Sequence, residues 1–203
     1  MTNTLLIVES PHKAKTVATL AKPFLKGTTF AWACLGHLRD LPEDSLGIDT
    51  KNGFTPEYRI PKHRVKTVAS LRSKIQKADV ILLATDPDRE GEAVAWHITR
   101  VYENELNGKT VRRITFNAIT DTAIQAALKH PRSLDMHLVT AAIARRVLDR
   151  LVGYFISPWL WKTFPYQKDL SAGRVQTAAL RLLVEYERAR FAPKETWTVE
   201  VEL

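Results

Sequence analysis

Short, continuous apolar runs that end at polar residues are the feature of this sequence that most restricts its fold. The runs "LLIV" (5–8) and "VILLA" (80–84) are too short for buried helices and are rich in branched side chains. Such runs are typical of strands that are covered on both faces of a parallel sheet. After the first run, Ser10 and Pro11 provide a helix cap and a proline at the first helical position, so "HKAKTVATLA" is predicted to be a helix.

The same alternation continues through residue 130. We predict further strands at "FAWACLG" (30–36) and "VRRITF" (111–116), and helices over 65–77, 91–102 and 121–129. A Gly- and Pro-punctuated segment (36–61) separates the second strand from the next helix, and a loop of that length favours a functional role. Strands that alternate with helices predict an α/β domain with a largely parallel, Rossmann-like sheet over residues 1–130.

After residue 130 the pattern becomes helical. Two long helical patterns, 134–157 and 171–192, follow with no strand between them, which predicts an all-α domain over residues 131–194. The last residues, 195–203, alternate apolar Trp197, Val199, Val201 and Leu203 with polar neighbours. This is the pattern of a half-buried strand, and we interpret it as the truncated first strand of a further β domain.

Composition excludes several classes of protein. No apolar run approaches the roughly 20 residues that a membrane-spanning helix needs, and the N-terminus lacks the apolar region of a secretory signal. The single cysteine, Cys34, rules out an internal disulfide and a cysteine-cluster metal site, and we expect it to be a buried hydrophobe. We therefore expect a cytoplasmic monomer that does not associate with membranes.

The charge is unevenly distributed. The net charge is +8 and the pI is about 9.7. Residues 137–191 carry nine Lys and Arg against four Asp and Glu. A basic segment that is separate in sequence from an acidic cluster favours a polyanionic partner such as a nucleic acid.

The acidic cluster lies where two predicted strands end. Glu9 follows the first strand, and Asp86, Asp88 and Glu90 follow "VILLA". Ligands bind at the carboxyl ends of strands in open α/β sheets, and Mg²⁺ prefers carboxylate oxygens together with phosphates and waters. We predict a Mg²⁺ site; the alternative is a solvated loop in which Asp86 or Asp88 caps the following helix.

Two further patterns concern polyanion contacts. Lys13 lies one turn into the helix after Glu9, where it could reach a phosphate or keep Glu9 ionised, although an exposed helix lysine has the same spacing. Arg146, Arg150 and Tyr154 share one helical stripe at i, i+4 and i+8, which suits a single strand of nucleic acid; the alternative is a solvated arginine face. We expect the opposite face to be buried, with Val147, Leu148, Leu151, Val152 and Phe155.

Five motifs together resemble bacterial DNA topoisomerase I, a type IA topoisomerase. They are "LLIVESPHKAKT", "GHLRDLP", "ATDPDREGEAVAWH", "ARRVLDRLVGY" and "SAGRVQTAALRL", in the order of the family. The resemblance implies a TOPRIM domain in which Glu9, Asp86, Asp88 and Glu90 are the acidic site that binds Mg²⁺, and in which Lys13 contacts the scissile phosphate. It also implies contacts with DNA at His37, Arg145, Arg146, Asp149, Arg150, Tyr154, Trp161, Ser171, Gly173, Arg174 and Gln176.

The family cleaves one DNA strand through a tyrosine ester, passes the other strand and reseals, which relaxes negatively supercoiled DNA without a nucleotide cofactor. Its tyrosine lies in a Tyr-x-Arg-Thr context, which none of the five tyrosines matches; Tyr186, in "YERA", lacks the threonine. We expect an N-terminal part that binds single-stranded DNA but is inactive alone, associated with the nucleoid. A TOPRIM nuclease that activates water and a non-enzymatic single-strand-binding module are the alternatives.

Overall fold

The computed structural model describes residues 2–167, 169–191 and 195–202, and the chain divides into two compact units, 1–147 and 148–203. The first unit alternates strands and helices. Its elements are β1 (Asn3–Val8), α1 (Pro11–Ala21), β2 (Thr28–Ala33), β3 (Ile48–Asp49), β4 (Thr55–Pro56), α2 (Val65–Lys77), β5 (Val80–Leu83), α3 (Arg89–Val101), α4 (Glu103–Leu106), β6 (Thr110–Arg113) and α5 (Asp121–Lys129). Two long helices follow, α6 (Met136–Thr163) and α7 (Arg174–Arg190).

The main sheet has four parallel strands in the order β2-β1-β5-β6. The strand that comes first in the chain therefore lies inside the sheet, and its carboxyl end is next to the carboxyl end of β5. This confirms the predicted α/β fold with a parallel sheet, followed by long helices.

The core lies on both faces of this sheet. Leu5 and Ile7 of β1 pack with α2, α3 and α4, while Leu6 and Val8 pack with α1 and α5. Successive side chains of a strand point to opposite faces, so a continuous apolar run is what a strand covered on both sides requires. Cys34 belongs to the first of these clusters, as predicted, and burial raises the pKa of its thiol to about 11.

The long segment after β2 is an ordered excursion. β3 and β4 pair as a short antiparallel ribbon, and Asp40 pairs with Arg59 through two backbone hydrogen bonds of 2.8 Å. The ends of this loop are thereby held together, which presents "GHLRD" next to the carboxyl edge of the sheet.

The helices of the second unit are the C-terminal part of α6 and the whole of α7. The helix continues through Pro158 to Thr163, beyond the predicted end at Ser157. Proline keeps a helical φ but removes one backbone donor, so the helix passes Pro158 with one hydrogen bond fewer. The predicted buried face of α6 is wrong in part: Val147 is 8% exposed, but Leu148 and Phe155 are 45% and 62% exposed. An amphipathic face is buried only against a partner surface, and α7 buries none of its described residues.

Residues 195–202 pair with no strand among the described residues, so the strand predicted there is not formed in this structure; Leu203 lies outside the described residues. The limits 1–130, 131–194 and 195–203 stay predictions. The change from strands to helices lies between α5 and α6, whereas the compact units divide within α6. Over the described residues, no helix combines the length and the apolar character needed to cross a bilayer.

Candidate functional site

The carboxyl ends of β1 and β5 bring two of the predicted acids together. Glu9 directly follows β1, and its Oε1 accepts a hydrogen bond of 2.9 Å from the backbone N–H of Asp86. The two residues are 77 positions apart in the sequence, and the pairing of β1 with β5 makes them neighbours. The structure therefore joins the two halves of the acidic motif at one edge of the sheet.

Lys13 reaches the same point from helix α1. Ser10 caps this helix and accepts from the Lys13 N–H, and the Lys13 Nζ lies 2.5 Å from Asp86 Oδ1. About a third of each side chain is exposed, so water reaches the ion pair. The ammonium neutralises Asp86, and its exposure allows it to contact an anion that arrives at this edge.

Asp88 caps helix α3, which is the alternative role predicted from the sequence for Asp86 or Asp88. The Oδ1 atom of Asp88 accepts a hydrogen bond of 2.7 Å from the backbone N–H of Gly91, and the Thr85 hydroxyl donates a hydrogen bond of 2.7 Å to the Gly91 carbonyl oxygen. A Cβ at Gly91 would lie 2.2 Å from the carbonyl oxygen of Asp86. Only glycine lets the helix start so close to the acidic loop.

Glu90 and His37 face each other across the same edge. The His37 Nε2 lies 3.4 Å from Glu90 Oε2, and both side chains are accessible to solvent. His37 comes from the loop after β2, so three separate segments contribute to this edge. Among the described residues, no group of three or more His, Cys, Asp or Glu is arranged to hold a metal ion. Of the predicted acids, Glu9 accepts from the Asp86 N–H, Asp86 pairs with Lys13, and Asp88 caps a helix.

A buried arginine that the sequence reading missed supports the acidic loop. Arg113, at the end of β6, is 1% exposed, and its guanidinium donates to backbone carbonyl oxygens at the end of β5, in the loop that follows β5, and directly after β6. The acceptors are Leu83 at 3.0 Å, Thr85 at 2.7 Å, Asp86 at 2.7 Å and Ile114 at 2.8 Å. These bonds satisfy the carbonyls of the segment that carries Asp86, so that segment is fixed.

Glu92 neutralises this arginine. Glu92 is fully buried and accepts a hydrogen bond of 3.0 Å from the Nε of Arg113. The two terminal nitrogens of Arg132 each donate a hydrogen bond of 2.8 Å, one to each carboxylate oxygen, and the Asp135 N–H donates another of 2.7 Å. Burial raises the pKa of Glu92, but the hydrogen bonds from Arg132, Asp135 and Arg113 outweigh burial and hold the pKa below its ordinary value. The sequence offered one sign of this buried ion pair: Glu92 is a charged residue directly before the small apolar residues Ala93, Val94 and Ala95, where a buried helix face is expected.

Arg146, one of the predicted DNA contacts, is already paired. Its Nε and NH2 donate to the two carboxylate oxygens of Asp40 at 3.0 and 2.7 Å, and both side chains are more than 40% exposed. Asp40 also accepts 2.7 Å from the Leu41 N–H, so the loop after β2 holds it in place. The bidentate pair fixes the orientation of the Arg146 guanidinium.

The second unit gathers the residues of "SAGRVQ" at the start of α7. Gly173 precedes the helix, and the Ser171 hydroxyl lies 3.5 Å from Gln176 Oε1. Arg174 Nε donates 3.0 Å to Asp149 on α6, and Trp161 Nε1 donates to the Leu170 carbonyl. Tyr154 and Trp161 are 47% and 53% exposed, while Arg145 and Arg150 lie on α6 and are partly buried. The DNA contacts assigned to these residues stay predictions.

Comparison with known proteins identifies the family. The Toprim domain family matches residues 4–119, and the family described as DNA topoisomerase matches residues 133–203. The structure of full-length topoisomerase I from Thermotoga maritima aligns over 94% of this chain at 44% identity and a TM-score of 0.77, and this chain spans 31% of that one. A pilus assembly-related protein from Burkholderia pseudomallei aligns at 13% identity and a TM-score of 0.30, too low for inference. The chain therefore belongs to the Toprim domain family and corresponds to the N-terminal portion of a type IA topoisomerase.

Proposed function

We propose that this chain supplies the acidic site and part of the DNA-binding surface of a type IA DNA topoisomerase. In the complete enzyme, one DNA strand is cleaved through a tyrosine ester, the other strand is passed and the break is resealed. The observation that carries the proposal is the convergence of Lys13, Glu9 and Asp86 at one strand edge in a chain that belongs to this family. With DNA as its substrate, the enzyme would act in the cytoplasm, at the nucleoid, as the family resemblance implies.

The ion pair of Lys13 with Asp86 supports a role for Lys13 in binding a phosphate. The ammonium is held 2.5 Å from Asp86 Oδ1 at the carboxyl edge of the sheet, and it is partly exposed. A partly exposed pair is weak, on the order of 0–1 kcal/mol, so a phosphodiester can take the place of Asp86. Lys13 then contacts the phosphate, and Asp86 becomes available for a metal ion.

The donor set fits Mg²⁺. Asp86, Asp88, Glu90 and Glu9 offer only carboxylate oxygens, which is the chemistry that Mg²⁺ selects, and Asp86 already attracts a cation. Toprim domains typically bind Mg²⁺, and we assign the ion here to Asp86, Asp88 and Glu90, with Glu9 beside them. When bound, Mg²⁺ neutralises charge on phosphate oxygens. The residues of this chain position the strand and hold the acidic loop.

A Mg²⁺ titration of this chain tests the site. The melting temperature of the wild type should rise with MgCl₂ at constant ionic strength, because a ligand that binds the native state stabilises it. Asp86→Asn together with Asp88→Asn should remove that rise and leave the helix cap at Asp88 intact, since asparagine caps helices as well as aspartate.

The matched control replaces two exposed acids that face Arg59, as Asp44→Asn with Glu57→Gln, and changes the net charge by the same amount. It should respond to Mg²⁺ like the wild type. An undiminished response in the Asp86 and Asp88 variant would exclude these residues as the metal site.

A further inference from the structure

Arg39 lies in a cluster of rings beside the acidic loop. Its Nε donates 2.6 Å to Nδ1 of His97, and its guanidinium lies 4.7 Å from the ring centroid of Trp96 and 5.0 Å from that of Tyr58. The three rings also contact one another, with centroids 4.6 to 6.1 Å apart. The side chain of Arg39 is thus held by one hydrogen bond and two aromatic rings.

Within the part of the chain that the structure describes, no carboxylate forms an ion pair with this guanidinium. Its one hydrogen-bond acceptor among the described residues is His97, which is 3% exposed and whose pKa is lowered to about 3 by burial, by Arg39 and by His37. His97 is therefore neutral at pH 7. By contrast, several other arginines donate hydrogen bonds to a carboxylate, and that carboxylate neutralises their charge. They are Arg72, Arg113, Arg132, Arg146, Arg174 and Arg181.

The terminal nitrogens of Arg39 are not completely buried. Neither nitrogen donates a hydrogen bond to any described residue. Among the described residues, the one side-chain polar atom that is both buried and without a partner is Thr29 Oγ1, so the two nitrogens of Arg39 keep some exposure to water. Burial lowers the pKa of Arg39, since the partly buried cation has lost water without gaining an anion. A positioned, incompletely solvated guanidinium with outward N–H groups is suited to binding an anion.

The position of the cluster indicates which anion. The His97 ring is 5.2 Å from the His37 ring, and His37 in turn is 3.4 Å from Glu90. Arg39 lies over the rings of Tyr58 and Trp96, so a nucleobase that stacked on the same faces would have to displace it, whereas a phosphate can accept from its terminal N–H groups. We propose that Arg39 binds a phosphodiester of single-stranded DNA beside the acidic loop, and that His97 positions it; this rests on the proposed function.

Binding of a fluorescent single-stranded oligonucleotide to this chain over a salt series tests the proposal. Arg39→Ala should weaken binding about tenfold or more, the loss expected for one hydrogen bond to a charged group. It should also flatten the slope of log K against log salt by about 0.7, the value for one phosphate contact on a single strand. Arg39→Lys keeps the charge but loses the planar fork and should bind between the wild type and Arg39→Ala.

Arg100→Ala is the matched control. Arg100 also lies over Trp96, at 6.0 Å, but it is exposed and faces Glu103 at 3.7 Å. Its removal should change neither affinity nor slope. For His97, replacement by Leu should weaken binding, and replacement by Asn, whose side-chain oxygen can accept from Arg39, should restore it; a loss caused only by altered packing would not be restored in this way.

Wild-type affinity and slope in both Arg39→Lys and Arg39→Ala would overturn the proposal. If melting curves show that Arg39→Ala is unfolded, Arg39→Lys decides: unchanged affinity overturns the proposal and a severalfold loss supports it. If the wild type does not bind DNA at all, the proposed function fails, and the anion site is then judged by NMR. Inorganic phosphate, but not chloride at equal ionic strength, should shift the Nε–H resonance of Arg39, and the absence of a shift would overturn the site.

Discussion

At the scale of single residues, Glu92 stabilises the acidic loop indirectly. Its buried carboxylate accepts hydrogen bonds from Arg113 and Arg132, and Arg113 in turn donates to the backbone carbonyl oxygen of Asp86 in that loop. Glu92→Gln would leave Arg113 as a buried, unpaired charge. We expect it to lower the free energy of unfolding by about 3–5 kcal/mol, measured by urea denaturation.

The control for this change is Glu103→Gln, which removes an exposed carboxylate that lies 3.7 Å from Arg100. It should alter the free energy of unfolding by less than about 1 kcal/mol. Equal effects of the two variants would contradict the bracing role of Glu92.

His97 predicts a specific response to acid. Its pKa is about 3 in the folded chain and has an ordinary value of 6.5, so between these values the unfolded chain binds a proton that the folded chain does not. Stability therefore falls as the pH drops below about 6.5, by on the order of 2–3 kcal/mol at pH 4.5 from this group alone. His97→Asn removes the titration and keeps an acceptor for Arg39. The loss of stability between pH 7.5 and pH 4.5 should be smaller by about that amount in the variant, and equal losses would show that His97 is protonated in the folded chain.

At the scale of elements, the start of α3 depends on Gly91. A methyl group there would lie 2.2 Å from the Asp86 carbonyl oxygen, a backbone atom that is itself held by Arg113. Gly91→Ala should therefore destabilise the chain by about 1–3 kcal/mol, as overpacking does, and should weaken the Mg²⁺-dependent rise in melting temperature.

Gly153→Ala provides a comparison with the opposite sign. Gly153 lies within α6, and an added Cβ would meet the Ala172 carbonyl oxygen at 3.6 Å, an ordinary contact. This change should stabilise the chain by about 0.5–1 kcal/mol, because alanine favours the helix. Thermal melts of the two variants side by side would check both signs, and a stabilising Gly91→Ala would contradict the close approach at α3.

At the scale of the whole molecule, the charge of +8 predicts salt-dependent binding of single-stranded DNA. If Arg145, Arg146, Arg150 and Arg174 each contact a phosphate, log K against log salt should have a slope of about −3, at roughly −0.7 per phosphate. Arg146→Ala with Arg150→Ala should flatten it by more than about 1 unit. Tyr154→Ala should weaken binding by about 1–3 kcal/mol with the slope unchanged, if a base stacks on the ring.

Fluorescence anisotropy measures these quantities, and a plasmid-relaxation gel run beside it should show no relaxation by this chain. A flat salt response would contradict the predicted DNA contacts. Relaxation of the plasmid would show that Tyr186, or another of the five tyrosines, serves as the nucleophile.

The sequence by itself determined the local structure and the chemistry of the acidic motif. Apolar runs of four or five residues require strands buried on both faces, and Ser10-Pro11 starts α1, because these preferences act between residues that are close in the chain. The motif residues Glu9, Asp86, Asp88 and Glu90 could be identified as candidate ligands for the same reason: their types and their places at strand ends are written in the sequence.

Only the tertiary structure decided which of these groups are partners. The pairing of Lys13 with Asp86, of Glu92 with Arg113 and Arg132, and of Arg39 with His97 joins residues that are 21 to 73 positions apart. No local pattern specifies such contacts, since they arise when the sheet order β2-β1-β5-β6 brings strand ends together. Burial follows the same rule: the apolar face predicted for α6 is buried at Val147 and exposed at Phe155, because a helical stripe is buried only where another surface packs against it.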